Sequence, residues 1–530
     1  MMGSEEVLFG GKYLLLKPEN ASAVDLGRLL LSSKLENRGF IECPGEVEAE
    51  NFRQRWLLFI SVVAQKILVA SKTTMKNVGN MLELWLNRLS ANGGLICLLF
   101  NILRGKMITP EKSSATFLSV IGQLDTRVDL DKGIKENDAK YKGLLSMMAS
   151  KLSYENEQFV SDSVQNHWNM EFLGLHNFWN EYQELWSTRA IIVQDTKSEP
   201  NLIVVAFRGT EPFDADQWRT DVDISWYELP NVGRIHGGFM KALGLQKSSG
   251  WPKEIDQSNS QHHCAYYTLR EKLRAMLKAK DNAKFILTGH SLGGALAILF
   301  AAVLTLHEEE WLLDKLEGVY TFGQPRVGDN EFGEFMKDKL RKYDVRYMRY
   351  VYCNDVVPRI PYDDKTLFFK HFGPCLYFNS LYHGQVLEDE PNKNYFSLFW
   401  VIPKILNAVW EVIRGFLIPF MEGSPVLDDG GNLILNSKGP IPRNKDWVSP
   451  PPSTRLFTPH EISIKPHPLE TNNEWKLKSI TNTRRITYET LELEEKFKEL
   501  LSKNELVRRF PALTIVDPHN KELPPKPLSP

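Results

Sequence analysis

An open α/β sheet with helices on both faces is what the middle of this 530-residue sequence predicts, with an apolar helical region before it and a proline-rich tail after it. Three observations carry the prediction. Between about 150 and 375, short β-rich runs alternate with stretches of helical period, the order that gives a helix-covered sheet. Before that stretch, apolar residues come in runs and at helical spacing. After it, residues 421–530 hold 15 of the 29 prolines, including SPPPS (449–453), and such segments favour extended chain over a packed core. The expected organisation is an N-terminal region over 1–150, an α/β domain over 151–420 and a tail over 421–530, in which only 488–510 has helical character.

Composition bounds the function. Apolar residues make up 42% and charged residues 25%, a globular balance that excludes wholesale disorder and a multi-span membrane protein. Lys+Arg 64 against Asp+Glu 66 leaves −2, so no basic field draws in nucleic acid. Cys43, Cys97, Cys264, Cys353 and Cys375 are scattered, with no pair at metal spacing. Reduced thiols in a cytosol-facing protein are expected, with no metal and no cofactor. Met1 to Leu16 carries Glu5 and Glu6 and makes a poor signal peptide.

In chain order, the first apolar runs are WLLFISVVAQ (56–65) and NGGLICLLFNIL (92–103), with MLELWLNRLS (81–90) at helical spacing between them. Neither run reaches the ~20 apolar residues of a spanning helix. A packed helical subdomain and interfacial helices on a lipid surface are the two readings. Trp56, Trp85, Arg53, Arg55, Arg88 and Arg104 suit the second, because aromatic and basic side chains favour interfaces. IIVQD (191–195) and NLIVVAFRG (201–209), joined by KSEP, predict a hairpin or adjacent strands. An amphipathic helix (266–280), a buried strand AKFILTG (283–289), an apolar helix (293–306), a strand and loop (318–328) and a further strand (345–355) follow. The stretch 395–420 is apolar, but Pro403, Lys404, Glu411 and Arg414 interrupt it. It reads as an amphipathic helix on a lipid surface or over a substrate pocket rather than a span.

The sharpest signal is Gly289-His290-Ser291-Leu292-Gly293, a G-x-S-x-G pentapeptide between the strand and the apolar helix. That context makes a nucleophile elbow, a strained strand-to-helix turn that projects a serine hydroxyl above the sheet. The helix N-terminus sets N–H groups beside a developing oxyanion. A serine needs a base and an orienting acid, in the order Ser, acid, His. Asp355, just past the strand 345–353, is the candidate acid. Asp329 in RVGD is its rival and reads more as a turn residue.

VVAFRGT (204–210), IHGGF (235–239), TGHSLGGALA (288–297), TFGQPRVGD (321–329) and NDVVPRIP (354–361) together resemble the motif series of the class 3, fungal-type lipases. TFLSVIGQLDTRVDL (116–130), FKHFGPCLYF (369–378) and NKNYF (392–396) resemble the plant oil-body triacylglycerol lipases. The resemblance implies an α/β-hydrolase fold, hydrolysis of acylglycerol esters through an acyl-enzyme, and a place on the lipid-droplet monolayer or, alternatively, the endoplasmic reticulum membrane. Residue by residue, it makes Ser291 the nucleophile, Asp355 the triad acid, and Thr210 the oxyanion-hole residue with Leu292 N–H as second donor. It places a mobile lid at 211–226, with Trp218 and Trp226 as its apolar contacts.

For the base, His236 precedes the serine and His290 lies inside the elbow, so both read as structural. Downstream stand His371, His383, His460, His467 and His519. The family's H-x-x-[DE]-Y type segment does not occur after Phe420. His460 falls at the right distance past Asp355 and is the candidate chosen. The alternatives are a lipid-droplet binding protein of the same fold that has lost its base, and a phospholipase or galactolipase.

Overall fold

The computed structural model describes residues 12–32, 38–43, 51–247, 250–255, 262–280, 282–361, 369–379, 384–388, 391, 404–407 and 410, with the backbone of 426–427 and 433–434. The chain divides into two units, Met1–Ile462 and Ser463–Pro530, and all described residues belong to the first. His460, the segment 488–510 and nearly all of 395–420 lie outside the described residues.

Twelve strands and twelve α-helices matter here. The strands are β1 (Tyr13–Leu16), β2 (Ile41–Glu42), β3 (Glu171–Asn180), β4 (Leu185–Asp195), β5 (Leu202–Phe207), β6 (Trp226–Leu229), β7 (Gly233–His236), β8 (Lys284–His290), β9 (Leu316–Phe322), β10 (Arg346–Tyr352), β11 (Cys375–Phe378) and β12 (Gly384–Leu387). The helices are α1 (Ala23–Leu31), α2 (Phe52–Ala91), α3 (Leu95–Leu103), α4 (Val120–Leu124), α5 (Tyr141–Leu152), α6 (Glu157–Asp162), α7 (Ala215–Val222), α8 (Gly237–Leu243), α9 (Ala265–Lys278), α10 (Leu292–Leu306), α11 (Glu310–Lys315) and α12 (Asn330–Lys342).

The large sheet has eight strands in the order β12-β11-β10-β9-β8-β5-β4-β3. Its centre, β5-β8-β9-β10-β11, is parallel, and both flanks are antiparallel. This is the α/β-hydrolase arrangement that the motif series implied. The predicted hairpin at 191–209 is the antiparallel β4–β5 pair, with Ile192 opposite Val205.

Period-2 alternation divides the core in two. Ile203, Val205 and Phe207 of β5 face the layer of α8, α9 and α10. Leu202, Val204 and Ala206 face α5 on the other side. Because both faces of the strands are covered, they read as unbroken apolar runs. Neither β3 nor α5 stood out in the sequence. Helix α5 is buried around nearly its whole circumference, which erases the amphipathic period that marks a surface helix. Its Ser150 hydroxyl finds Ser146 O and the Thr288 hydroxyl of β8, at 2.8 and 2.9 Å.

A small antiparallel sheet, β2-β1-β6-β7, joins the N-terminal strands β1 and β2 to β6 and β7 of the motif region. Leu14, Leu16, Leu29, Leu58 and Val62 share one core with Ile224, Trp226 and Phe369.

While the run 92–103 holds the separate helix α3, the apolar run 56–65 and the stretch 81–90, expected as separate short segments, are joined in a single helix, α2, of 40 residues. It is roughly 60 Å long at the α-helical rise. By length and composition alone it could cross a membrane, and it packs along α7. At about 100° per residue, Leu58, Ser61, Val62, Gln65, Gly79 and Asn87, its buried positions, fall on one side. On the opposite side, Phe52, Trp56, Ile60, Ile67, Val78, Met81 and Trp85 are exposed and share an arc of about 80°. Short helix α3 adds exposed Leu95, Ile96, Leu99, Phe100, Ile102 and Leu103. Contiguous apolar surface of this kind marks an interaction site.

Candidate functional site

Strand β8 runs into helix α10 through one residue, Ser291, whose φ is +55° and ψ −128°. A non-glycine residue at positive φ is strained, and here the strain is what lifts the hydroxyl clear of the sheet. The flanking glycines allow the turn to close. A Cβ on Gly289 would lie 2.1 Å from Gly293 C, and one on Gly293 would lie 2.2 Å from Phe207 O. Ser291 N–H donates to Phe322 O of β9 at 2.8 Å, which pins the elbow to the neighbouring strand. Leu292 opens α10, so its N–H has no acceptor inside the helix and stands at the positive end of the helix dipole.

The chain leaving β5 passes directly against the elbow. A Cβ on Gly209 would meet His290 O at 2.3 Å and Ser291 Cβ at 3.2 Å. Thr210 is therefore next to Ser291, and it is buried. Its hydroxyl donates to Asp221 Oδ2 at 2.6 Å. Asp221 is buried too, and desolvation pushes its pKa up to about 7 against the lowering effect of the Thr210 hydrogen bond. Its other oxygen, Oδ1, has no hydrogen-bond partner among the described residues. When Asp221 is ionised, it holds the Thr210 hydroxyl proton. When Asp221 is protonated, it can donate to the Thr210 oxygen, and the threonine proton is then available to an oxyanion.

Asp355 follows β10, at the same carboxyl edge of the parallel strands as Ser291. Its Oδ1 accepts from Val357 N at 3.0 Å, and the buried Arg359 guanidinium binds Asp355 O and, at 2.8 Å, Cys353 O. Its Oδ2 lies 2.6 Å from where a Gly323 Cβ would be, a position also 3.7 Å from His290 Nε2. Only glycine at 323, just past β9, leaves room for that carboxylate. Asp329 instead caps α12, its Oδ1 accepting from Phe332 N at 2.8 Å.

The two upstream histidines are structural. Buried His236 caps α8 by accepting from Phe239 N at 3.3 Å, and its Nε2 meets Asp223 O. His290 Nδ1 pairs with the Tyr154 hydroxyl at 2.8 Å. Desolvation holds both imidazoles down at about 4, so they are neutral at pH 7. His371 Nε2 donates to Pro358 O at 2.7 Å. His383, His460, His467 and His519 lie outside the described residues.

The expected lid, 211–226, is two elements. Its first part is α7, where Trp218 Nε1 donates to Pro212 O at 3.1 Å. Its last residue, Trp226, is not a lid contact. It is buried in β6, paired with Leu14 and covered by the Arg234 guanidinium at 4.3 Å from its ring centroid. Asp221 and Tyr154 are the residues that sequence reasoning missed. Neither belongs to a motif, and each acts only through a partner 11 or 136 positions away.

The model of the family described as Lipase (class 3) matches residues 204–365. A triacylglycerol lipase OBL1 of Arabidopsis thaliana is 38% identical over 88% of this chain and 96% of its own length. One of Nicotiana tabacum is 41% identical over 73% and 80%. Among solved structures, lipase II of Rhizopus niveus is 21% identical, covers 49% of this chain and 88% of its own, and superposes with a TM-score of 0.35. The extent of the match to the plant relatives, with the elbow and its flanking motifs in place, makes this chain a member of the class 3 lipase family, in the group of the plant OBL1 triacylglycerol lipases.

Proposed function

We propose that this chain hydrolyses triacylglycerol at a lipid surface, with Ser291 as nucleophile. The observation that carries this is the strained elbow, with Thr210 on one side of Ser291 and the Asp355 loop on the other. Ser291 Oγ attacks the ester carbonyl carbon while a histidine takes its proton. The carbonyl oxygen becomes an oxyanion that accepts from Leu292 N–H and from Thr210. Collapse breaks the ester C–O bond, and the imidazolium protonates the departing diacylglycerol oxygen. Water, deprotonated by the same histidine, then attacks the acyl-enzyme and releases a fatty acid. Asp355 orients the imidazole. His460 is the base we assign, by its distance along the chain from Asp355.

The exposed stripe of α2 and the apolar surface of α3 support docking on a droplet monolayer, where a polar protein meets oil across one leaflet. A fluorophosphonate probe and a panel of tri-, di- and monoacylglycerols, phospholipids and galactolipids test the reading together. The wild type is expected to label and to release fatty acid fastest from triacylglycerol. Ser291→Ala is expected to do neither while still binding lipid. More than a few per cent of residual turnover in Ser291→Ala would overturn the nucleophile, and faster release from a phospholipid or galactolipid would overturn the substrate.

A second reading, a lipid-binding protein without turnover, draws support from the described histidines near the elbow, each of which has a structural partner. Alanine substitutions at His371, His383, His460, His467 and His519 separate the two. Loss of labelling at His460 alone supports the assigned base. An unlabelled wild type supports the second reading.

A further inference from the structure

Helix α2 turns its covered face to the segment that holds the oxyanion residue. Buried Ser61 donates its hydroxyl to Val222 O at 2.7 Å, at the last residue of α7. Three turns on, Lys72 Nζ pairs with Asp216 Oδ2 at 2.7 Å, in the first turn of α7. Further still, Gly79 lies against Phe213, so that a Cβ at 79 would fall 2.5 Å from Phe213 Cβ. The contacts run 61 to 222, 72 to 216 and 79 to 213, which makes α2 and this segment antiparallel. Between these anchor points sits Asp221, which receives the Thr210 hydroxyl. On the opposite face of the same helix is the exposed apolar stripe.

We propose that α2 is a positioning element of the active site. Ser61, Lys72 and Gly79 fix segment 213–222, and through Asp221 they fix Thr210, so the lipid-facing helix and the oxyanion hole form one mechanical unit. The proposal rests on Ser291 and Thr210 having the roles given above. A helix that served only as an anchor would not need to clasp this segment at three points. The glycine is informative in its own right. In a helix interior it is among the poorest helix formers, yet here any side chain would displace Phe213.

Gly79→Ala in the full chain is the test, because by helix propensity alone it should strengthen α2. Ordinary carbon–carbon contact is about 3.5–4.0 Å, so the new methyl must move Phe213 or α2 by about 1 Å. A displacement of that size at a reacting geometry can cost up to about 10²-fold. With a monomeric, water-soluble p-nitrophenyl butyrate, kcat is expected to fall by about 10- to 100-fold with KM little changed and flotation with oil droplets intact. Ser61→Ala and Lys72→Met should move kcat the same way by less, and they carry the test if Gly79→Ala does not fold. Adding Gly79→Ala to Thr210→Val should cost little further, because both act on one donor. Unchanged or raised kcat in the single variants, a change confined to KM, or additive losses in the double variant would each overturn the proposal. Ser291→Ala is measured alongside. If it stays active, the site assignment itself is wrong. If it is dead while the α2 variants keep full kcat, only the positioning role fails.

Discussion

The Thr210 hydroxyl donates to Asp221 across 2.6 Å in a buried setting, and in the mechanism proposed above the protonation of Asp221 sets whether that hydroxyl can turn to the oxyanion. Below pH about 7, where Asp221 is protonated, the threonine hydroxyl can turn to the substrate. Above it, the hydroxyl stays on the carboxylate. Thr210→Val should therefore lower kcat on a soluble ester by about 10²–10³-fold near pH 6 and by clearly less near pH 8.5. An equally large loss at both pH values would show that Asp221 does not gate the hydroxyl, and a small effect at both would show that only the backbone N–H donates. For the acid, Asp355→Asn should lower turnover by roughly 10⁴-fold, the loss seen when a serine protease triad loses its orienting carboxylate. Asp329→Asn keeps the oxygen that caps α12 and removes only a charge at the helix N-terminus, so it should leave turnover nearly unchanged and cost about 0.3–1 kcal/mol of stability. Thermal unfolding with steady-state kinetics tells the two aspartates apart, and a reversed pattern would exchange their roles.

Among the elements, α2 is the one whose two faces have different work. Its N-terminal half packs into the core formed by α1, β1 and Trp226, so deleting the whole helix would strip that core and confuse anchoring with folding. Substituting the exposed face is cleaner. Trp56, Ile67, Met81 and Trp85 are all more than 40% exposed and contribute little to folding. Each large apolar side chain gains roughly 1.5–3 kcal/mol when fully removed from water, so a few suffice to hold a monolayer. Replacing these four with glutamine should release a fluorescent fusion from droplets into the soluble fraction while Tm stays within a few degrees. Continued droplet coating would move the anchor to α3 or to residues 395–420. Between its two apolar stretches, SKTTMKNVGN (71–80) carries the helix past α7, where Lys72 meets Asp216 and Gly79 meets Phe213.

Across the whole molecule, buried titratable groups set the pH dependence of stability. His236, His290 and His307 have pKa values lowered to about 4 by burial. Between pH about 4 and the unfolded value near 6.5, the unfolded chain binds more protons, so stability rises with pH in that window. Asp221 works against them: with its pKa raised, the folded state binds more protons between about 4 and 7, and that share of stability falls as pH rises. His176, also lowered to about 4, adds to the three histidines, and Glu83 and Glu155, raised by burial, add to the side of Asp221. The four histidines outweigh these carboxyls, so Tm should climb from pH 4.5 to 6.5 and then level off. Asp221→Asn should raise Tm relative to the parent more at pH 8 than at pH 5. Scanning fluorimetry over that range checks both, and a Tm that fell steadily from pH 4.5 to 6.5 would contradict the histidine burial.

What the sequence determined by itself is local. The β4–β5 hairpin was legible because apolar runs and a polar turn adjoin in the chain, and Ser291 was legible because strand, glycines and helix are contiguous around it. That Ser291, Leu292, Thr210 and Asp355 gather at one edge of the sheet was legible because each sits within a few residues of a strand end. Helix α5 was hidden because burial on every side removes its period. The continuity of α2, the burial of Trp226 in β6 and the bond from Thr210 to Asp221 were decided only by tertiary structure. Each depends on which distant surface a residue meets, and no spacing along one chain encodes that contact.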